Sequence, residues 1–287
     1  MDYRKAMGIR ALSEGDGVRI AILDSGTPLP LFNNQGAWSF HDDEFGHATA
    51  IASILFGGVG IHGLCEKAEP RYIKVLDRQG RGTIKSVVKG IYSAIESDVD
   101  LINLSLGFYR TEECPEEIVE ACDAAFKAGK TIICAAGNDG GRVNWPAALK
   151  TTICVGATDQ GGHKISFSSS GEVDFVVPGV NLPVFDIDGH IKTVSGTSFA
   201  TAIVTGMAAA MLPKLKGMYG SKIGTPLLVN ALRKLTVDID APGWDIETGY
   251  GLLLGDNVDP VNLKIKQNFF GTIISSIKSM FGHKARS

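Results

Sequence analysis

The chain has 287 residues, 44% of them hydrophobic and 21% charged, which is enough for one large α/β domain or two small ones with a full core. A net charge of −3 makes no case for nucleic acid or a membrane as the main partner of the body. No run approaches the roughly 18 apolar residues of a membrane span, and residues 1–12 carry charges and no apolar core segment, so they do not read as a secretory signal.

Residues 18–23 are an apolar run that closes on Asp24, Ser25 and Gly26. This reads as a buried strand with a carboxylate at its C-terminal end, where open α/β sheets build sites; a turn or capping Asp is the other reading. Gly46 then opens a small-residue helix at His47 that lacks a charged face through residue 55, as a buried helix does. A His there is either a satisfied core residue or a base. A Gly-rich link at 57–63 leads to a second strand at 71–76 and a loop, 77–83, holding Gly80, Arg81 and Gly82. Residues 85–96 follow helical spacing, with Val88, Ile91, Tyr92 and Ile95 on one face. A third strand covers 100–107, and a helix at 116–128 is stopped by Gly129. Further strands cover 131–136, 151–157 and 173–177. Residues 184–187 and 192–194 pair as a short hairpin, and a late helix at 226–235 precedes a last apolar stretch at 249–254.

Strands alternating with helices imply an α/β fold with a mostly parallel central sheet and helices on both faces. The nearly continuous apolar strands fit a sheet covered on both sides. The 35 Gly cluster in turns after apolar runs, which favours strand-to-loop junctions over a helical bundle. The five Cys are odd in number and lack metal-ligand spacing, so they read as reduced thiols of a cytoplasmic protein. With no internal repeat or low-complexity linker, residues 1–260 make one domain and 261–287 a basic tail.

The run Val194, Ser195, Gly196, Thr197, Ser198, Phe199, Ala200, Thr201, Ala202 continues as small and apolar residues to Leu212, with no charge before Lys214. Gly196 suits a tight turn, since it takes backbone angles that other residues avoid. Ser198 sits where a helix begins, and the helix behind it lacks the polar stripe of a surface helix. A helix N-terminus offers free N–H groups and partial positive charge, which suit an anion forming beside the hydroxyl. Ser198 is therefore a candidate nucleophile; an ordinary N-cap is the alternative.

Asp24, His47 and Ser198 thus stand at element ends in that order. An Asp that orients an imidazole, a His that takes a hydroxyl proton and a Ser that attacks a carbonyl make a catalytic triad. Around these residues the chain resembles the subtilisin-like serine proteases, the subtilase family. The resemblance is carried by Ala21-Ile22-Leu23-Asp24-Ser25-Gly26, Gly46-His47-Ala48-Thr49-Ala50-Ile51-Ala52 and Gly196-Thr197-Ser198-Phe199-Ala200. Asn103-Leu104-Ser105-Leu106-Gly107, Ala135-Ala136-Gly137-Asn138, Trp145-Pro146-Ala147 and Thr248-Gly249-Tyr250-Gly251 support it. Each stretch is short; their common order, over residues 17–254, makes the likeness specific.

The resemblance implies a serine endopeptidase that cleaves protein or peptide substrates through an acyl-enzyme. It implies that Asn138 gives its amide to the oxyanion, with the Ser198 N–H as second donor; a loop Asn tolerating unusual angles is the bland alternative. It implies that Gly80, Arg81 and Gly82 on one side, and Ser105, Leu106 and Gly107 on the other, are extended edges between which a substrate pairs through its backbone. Asp139 and Asn144 fall near the family's primary specificity pocket, where a carboxylate at the rim favours a basic residue before the scissile bond. Three departures stand out. The family usually has Pro and His where this chain has Ala202 and Ile203, and Gly-Thr-His where it has Ala48-Thr49-Ala50. The loop at 56–65 lacks the Asn-rich insert that binds calcium in many secreted members, so no cofactor is expected and no calcium at that position, with calcium elsewhere left open. The chain also starts almost directly at the catalytic domain, without room for the N-terminal prodomain of many relatives.

The tail forms an amphipathic helix by spacing, with Phe269, Phe270, Ile273, Ile274, Ile277, Met280 and Phe281 in one apolar stripe. Lys264, Lys266, Lys278, Lys284 and Arg286 make it basic. It is open to docking on the body, to a partner or to a membrane surface. Two rivals to the protease reading are a scaffold of the same fold without turnover and an esterase or transferase using the same triad.

Overall fold

The computed structural model describes residues 1–28, 42–110 and 113–256. The chain order begins with α1 (Tyr3–Ala6), β1 (Arg19–Asp24), α2 (His47–Phe56), β2 (Glu69–Lys74), α3 (Ile84–Glu96), β3 (Leu101–Leu104), α4 (Glu116–Lys127) and β4 (Thr131–Ala135). It continues with β5 (Thr152–Thr158), β6 (Phe175–Pro178), β7 (Leu182–Phe185), β8 (Ile191–Val194), α5 (Thr197–Tyr219), α6 (Thr225–Arg233), β9 (Thr236–Val237) and β10 (Leu252–Leu253). Eight strands form one sheet in the order β2-β1-β3-β4-β5-β6-β10-β9. Every pairing is parallel except β9 with β10, while β7 and β8 form a separate antiparallel ribbon.

The two faces follow from the period of two along each strand. In β1, Ile20 and Ile22 join the cluster built on α2 and α5, whereas Ala21 and Leu23 join the one built on α3 and α4. Both clusters exclude water, so β1 reads as a continuous apolar run rather than an alternating one. Strand order also locates the site. The chain leaves β1 for β2 on one side and then crosses to β3 on the other, so the connections diverge beside the C-terminal end of β1. Ligand crevices of open α/β sheets lie at such a divergence, and Asp24 stands there.

Four local features differ from the sequence reading. Residues 1–12 do carry core: Tyr3, Met7, Ile9 and Leu12 are buried, and the Tyr3 hydroxyl donates to the Pro183 carbonyl at 2.7 Å. Their charged neighbours are absorbed locally, since Arg4 donates to the carbonyls of Leu12, Ser13 and Leu64. The buried face of α3 is Val87, Gly90, Ile91 and Ala94, while Tyr92 is exposed. Small size explains the shift, because a Cβ on Gly90 would come 2.6 Å from Val75 Cγ1. The helix α5 does not stop at Leu212 but runs through Pro213 to Tyr219, held by buried Leu215 and by Lys216 Nζ 2.7 Å from Asp100 Oδ1. By composition α5 is long and apolar enough to cross a membrane, yet here it is the core helix of the fold. Strand β9 is the fourth; two residues give no periodicity to read.

All five cysteines are free thiols, and Cys134 and Cys154 face each other in register across β4 and β5. Burial pushes both far above the usual thiol range, and takes Cys122 to about 12 and the half-buried Cys114 to about 11. The expected tail helix at 261–287 lies outside the described residues.

Candidate active site

Strand β1 delivers Asp24 to the sheet's edge with no exposed surface, and its Oδ1 accepts the Ser25 N–H at 2.7 Å. Both carboxylate oxygens face His47 Nδ1, at 2.8 and 2.9 Å. His47 is the first residue of α2, behind Gly46 at φ +85°, a backbone angle that favours glycine. With Nδ1 held by Asp24, Nε2 is the ring nitrogen left for chemistry. Burial disfavours the charged ring, but the Asp24 charge and hydrogen bond outweigh it, with a further push from Asp43, so the His47 pKa lies above 6.5.

Asp43 is the support that the sequence reading missed. Its Oδ1 accepts the Gly46 N–H and the Ser25 hydroxyl, at 2.8 and 2.7 Å. Its Oδ2 accepts the Thr49 N–H and hydroxyl, at 2.8 and 2.6 Å. Ser25 Oγ in turn accepts the Ala48 N–H at 3.0 Å. Three N–H groups at the start of α2, those of Gly46, Ala48 and Thr49, are thus satisfied by one buried carboxylate and one hydroxyl. Burial opposes the charge, but the bonds from Thr49, Ser25 and the backbone win and hold the Asp43 carboxyl below its usual range. An Asp just ahead of an uncharged helix is the signal that points to it.

Ser198 is the second residue of α5. Gly196 caps the helix at φ +151°, an angle that favours glycine; the cap is therefore Gly196, and Ser198 is free for another use. The Ser198 hydroxyl donates to the Ser105 carbonyl at 3.0 Å, and the Ser105 hydroxyl donates back to the Ser198 carbonyl at 2.8 Å. Behind this pair runs a buried chain: Asn103 Nδ2 donates to Ser105 Oγ, and Thr205 Oγ1 donates to Asn103 Oδ1, both at 2.9 Å. Asn138 follows β4. Its Oδ1 accepts the Thr197 N–H at 2.8 Å and the Thr197 hydroxyl at 3.0 Å. Because a backbone N–H can only donate, the atom facing it is the oxygen, and Nδ2 is left to donate elsewhere.

His47, Asn138 and Ser198 line one cleft of about 310 Å³, together with Gly80, Ser105, Leu106, Gly107, Asp139 and Asn144. Arg81 and Gly82 are not in its lining. The Arg81 guanidinium is exposed and lies 3.5 Å from Asp77 and 3.3 Å from Gln79, and Gly82 bridges to Leu76. Asp139 does line the cleft, and the Ser169 hydroxyl at 2.7 Å and the Gly141 N–H at 3.1 Å hold its carboxyl below the usual range. Phe45, Leu76 and Tyr109 add apolar walls that the sequence reading passed over. Phe45 packs over Gly80, where a Cβ would lie 2.5 Å from the ring.

One other group of metal-ligating side chains gathers among the described residues: Asp186, Asp188 and His190, in the turn between β7 and β8. Asp186 Oδ1 there accepts the N–H groups of Asp188 and His190, each at 2.9 Å, so the cluster is accounted for as a turn. At the end of the short loop at 56–65, the Glu66 carboxylate accepts the Gly63 N–H at 2.8 Å.

A His paired with a buried Asp, a Ser at a helix mouth and an amide thus stand together at one cleft. The subtilase family pattern matches residues 15–251, and the chain belongs to that family. It is 34% identical over 252 residues to the minor extracellular protease Epr of Bacillus subtilis (strain 168), an alignment covering 83% of this chain and 38% of that one. The chain thus spans well under half of that relative's length. It is 35% identical over 213 residues to subtilisin BL of Lederbergia lenta, covering 70% of this chain and 78% of the relative. In fold it is similar to the crystal structure of a lanthipeptide protease, with a TM-score of 0.74 and 23% identity over 89% of this chain and 90% of that one.

Proposed function

We propose that this chain is a serine endopeptidase that cleaves peptide bonds of proteins through an acyl-enzyme. One observation carries the reading: both oxygens of buried Asp24 engage His47 Nδ1, and that ring shares a cleft with Ser198 and Asn138. The substrate carbonyl enters between the edges at Gly80 and at Ser105–Gly107, along which its backbone pairs. The Ser198 hydroxyl turns from the Ser105 carbonyl to His47 Nε2, which takes its proton as Oγ attacks. Asp24 then faces an imidazolium. The charge that appears on the carbonyl oxygen meets the Asn138 Nδ2 and the Ser198 N–H, which lies in the first turn of α5 with no helical acceptor of its own. His47 next protonates the leaving amine, and water releases the acyl group.

The chemistry uses no cofactor, and the loop at 56–65 is proposed to bind no calcium. A cytoplasmic location is proposed on the free, mostly buried thiols. For the tail at 261–287, docking on the body is the simplest of the three roles open to it, and an enzyme truncated after Pro260 tests it by its activity and solubility.

Fluorophosphonate labelling with Ser198→Ala as control tests the function, together with sequencing of cleavage products. Failure of the intact protein to label would remove the enzyme reading in favour of a scaffold. Labelling with ester turnover but no peptide cleavage would favour an esterase or transferase. Because His47 acts as a base only when neutral and its pKa is raised, kcat/KM is expected to climb with pH through a value above 6.5. A flat profile between about pH 5 and 8 contradicts the role of His47.

A further inference from the structure

One residue lining the cleft carries a buried polar atom that the protein leaves without a partner. Asn144 is only 8% exposed, yet its Oδ1 makes no hydrogen bond. Among the described residues it is the one buried side-chain nitrogen or oxygen in that condition. Folds satisfy nearly all such atoms, so an exception beside a reacting centre calls for a physical reason.

Its place is fixed by both sides of the cleft. The Asn144 N–H donates to the Ala136 carbonyl at 2.8 Å, at the end of β4. The next residue, Trp145, exchanges two backbone hydrogen bonds with Phe108, at 2.9 and 3.1 Å, just past the Ser105–Gly107 edge. A Cβ on Gly137 would come 2.6 Å from Asn144 Nδ2, and one on Gly107 would come 3.3 Å from Asn144 Cβ. The amide therefore lies between the two walls, and each wall is glycine where it passes. It takes up space between these walls that would otherwise be open to a substrate side chain.

Resting on the reading of Ser198 as nucleophile, we propose that Asn144 makes this cleft select a short, polar, uncharged side chain on the acyl side of the cleaved bond. Ser, Thr or Asn is taken over a hydrocarbon of the same shape. A hydrocarbon would cover the amide and meet none of its hydrogen-bonding capacity. A hydroxyl or amide completes it, because the terminal torsion of Asn is soft and its end offers both N–H donors and a carbonyl acceptor. A pocket with a buried polar group rejects the analogue that lacks the matching group far more strongly than an apolar pocket rejects an added hydroxyl. The rival is a basic side chain drawn by Asp139. That carboxylate is exposed at the rim and already accepts from Ser169 and Gly141, so its pull is screened.

The test uses peptides matched in shape, Thr against Val and Asn against Leu at the residue whose carbonyl is attacked, with active sites counted by fluorophosphonate titration. The expected result is a kcat/KM about 10- to 100-fold higher for Thr and Asn. In Asn144→Leu the preference disappears or inverts while Ser198 still labels. The wild-type pairs decide the matter even where that variant does not fold. Equal or better cleavage of Val and Leu by a wild type that labels fully overturns the role of Asn144 and leaves the protease reading standing. So does a preference for Lys or Arg that Asp139→Asn abolishes. A wild type that does not label overturns the protease reading itself, and this proposal with it.

Discussion

Behind His47 stand two carboxylates; behind Ser198 stands a chain of hydroxyls and amides. Asp24 and Asp43 fix the ring and the first turn of α2, and both raise the His47 pKa. Ser105, Asn103, Thr205 and Asn138 fix the start of α5 without a formal charge. The division has a chemical logic. In the proposed reaction the ring gains a positive charge and needs a negative neighbour, whereas the hydroxyl must stay free of any charge that would hold its proton. It follows that pH acts on the His47 half of the site and leaves the Ser198 half alone.

Four substitutions separate the halves. The largest effect falls on Asp24→Asn, expected to lower kcat by about 10⁴-fold. Removing the main influence that raises the His47 pKa while burial remains also moves the acid limb to lower pH, and a pH–rate profile reads both. Asn138→Leu, on the uncharged side, is expected to cost about 10²–10³-fold in kcat with little change in KM, and to leave that limb in place. Asp43→Asn acts on stability first, by about 1–2 kcal/mol at neutral pH in urea unfolding. Its sign with pH is set by the lowered folded pKa. The contribution is present above the ordinary carboxyl range and lost as pH falls through the folded value, so mutant and wild type converge in acid. Thr205→Val acts on stability alone. It strands Asn103 Oδ1 in the core at about 1–3 kcal/mol and leaves the unfolding difference the same at every pH.

The parts legible in the sequence share one property: each is a polar or glycine residue interrupting an apolar run. Asp24 ends a strand, and His47 and Ser198 open charge-free helices, so local pattern offered these three as candidates, whereas Asn138, which follows a strand, came only with the family resemblance. What escaped depends on contact instead. Gly90 marks the packed face of α3 only because Val75 crosses it, and Tyr3 is core only because Pro183 receives its hydroxyl. The helix α5 outlasts Pro213 because Leu215 and Lys216 find partners beyond it. Arg81 and Gly82 share a loop with Gly80, but the loop's turn carries them out of the cleft lining.

The facing thiols of β4 and β5 have a practical use. Cys134 and Cys154 are fully buried and held far from ionisation, so an alkylating reagent meets a reactive sulfur there only when the sheet opens. Half-buried Cys114 is the residue that reacts first. The slow phase of labelling at Cys134 and Cys154 then counts openings of the sheet's centre, as amide exchange does. These two sulfurs are a native clock for the segment that carries Asn138, readable by mass without adding a probe.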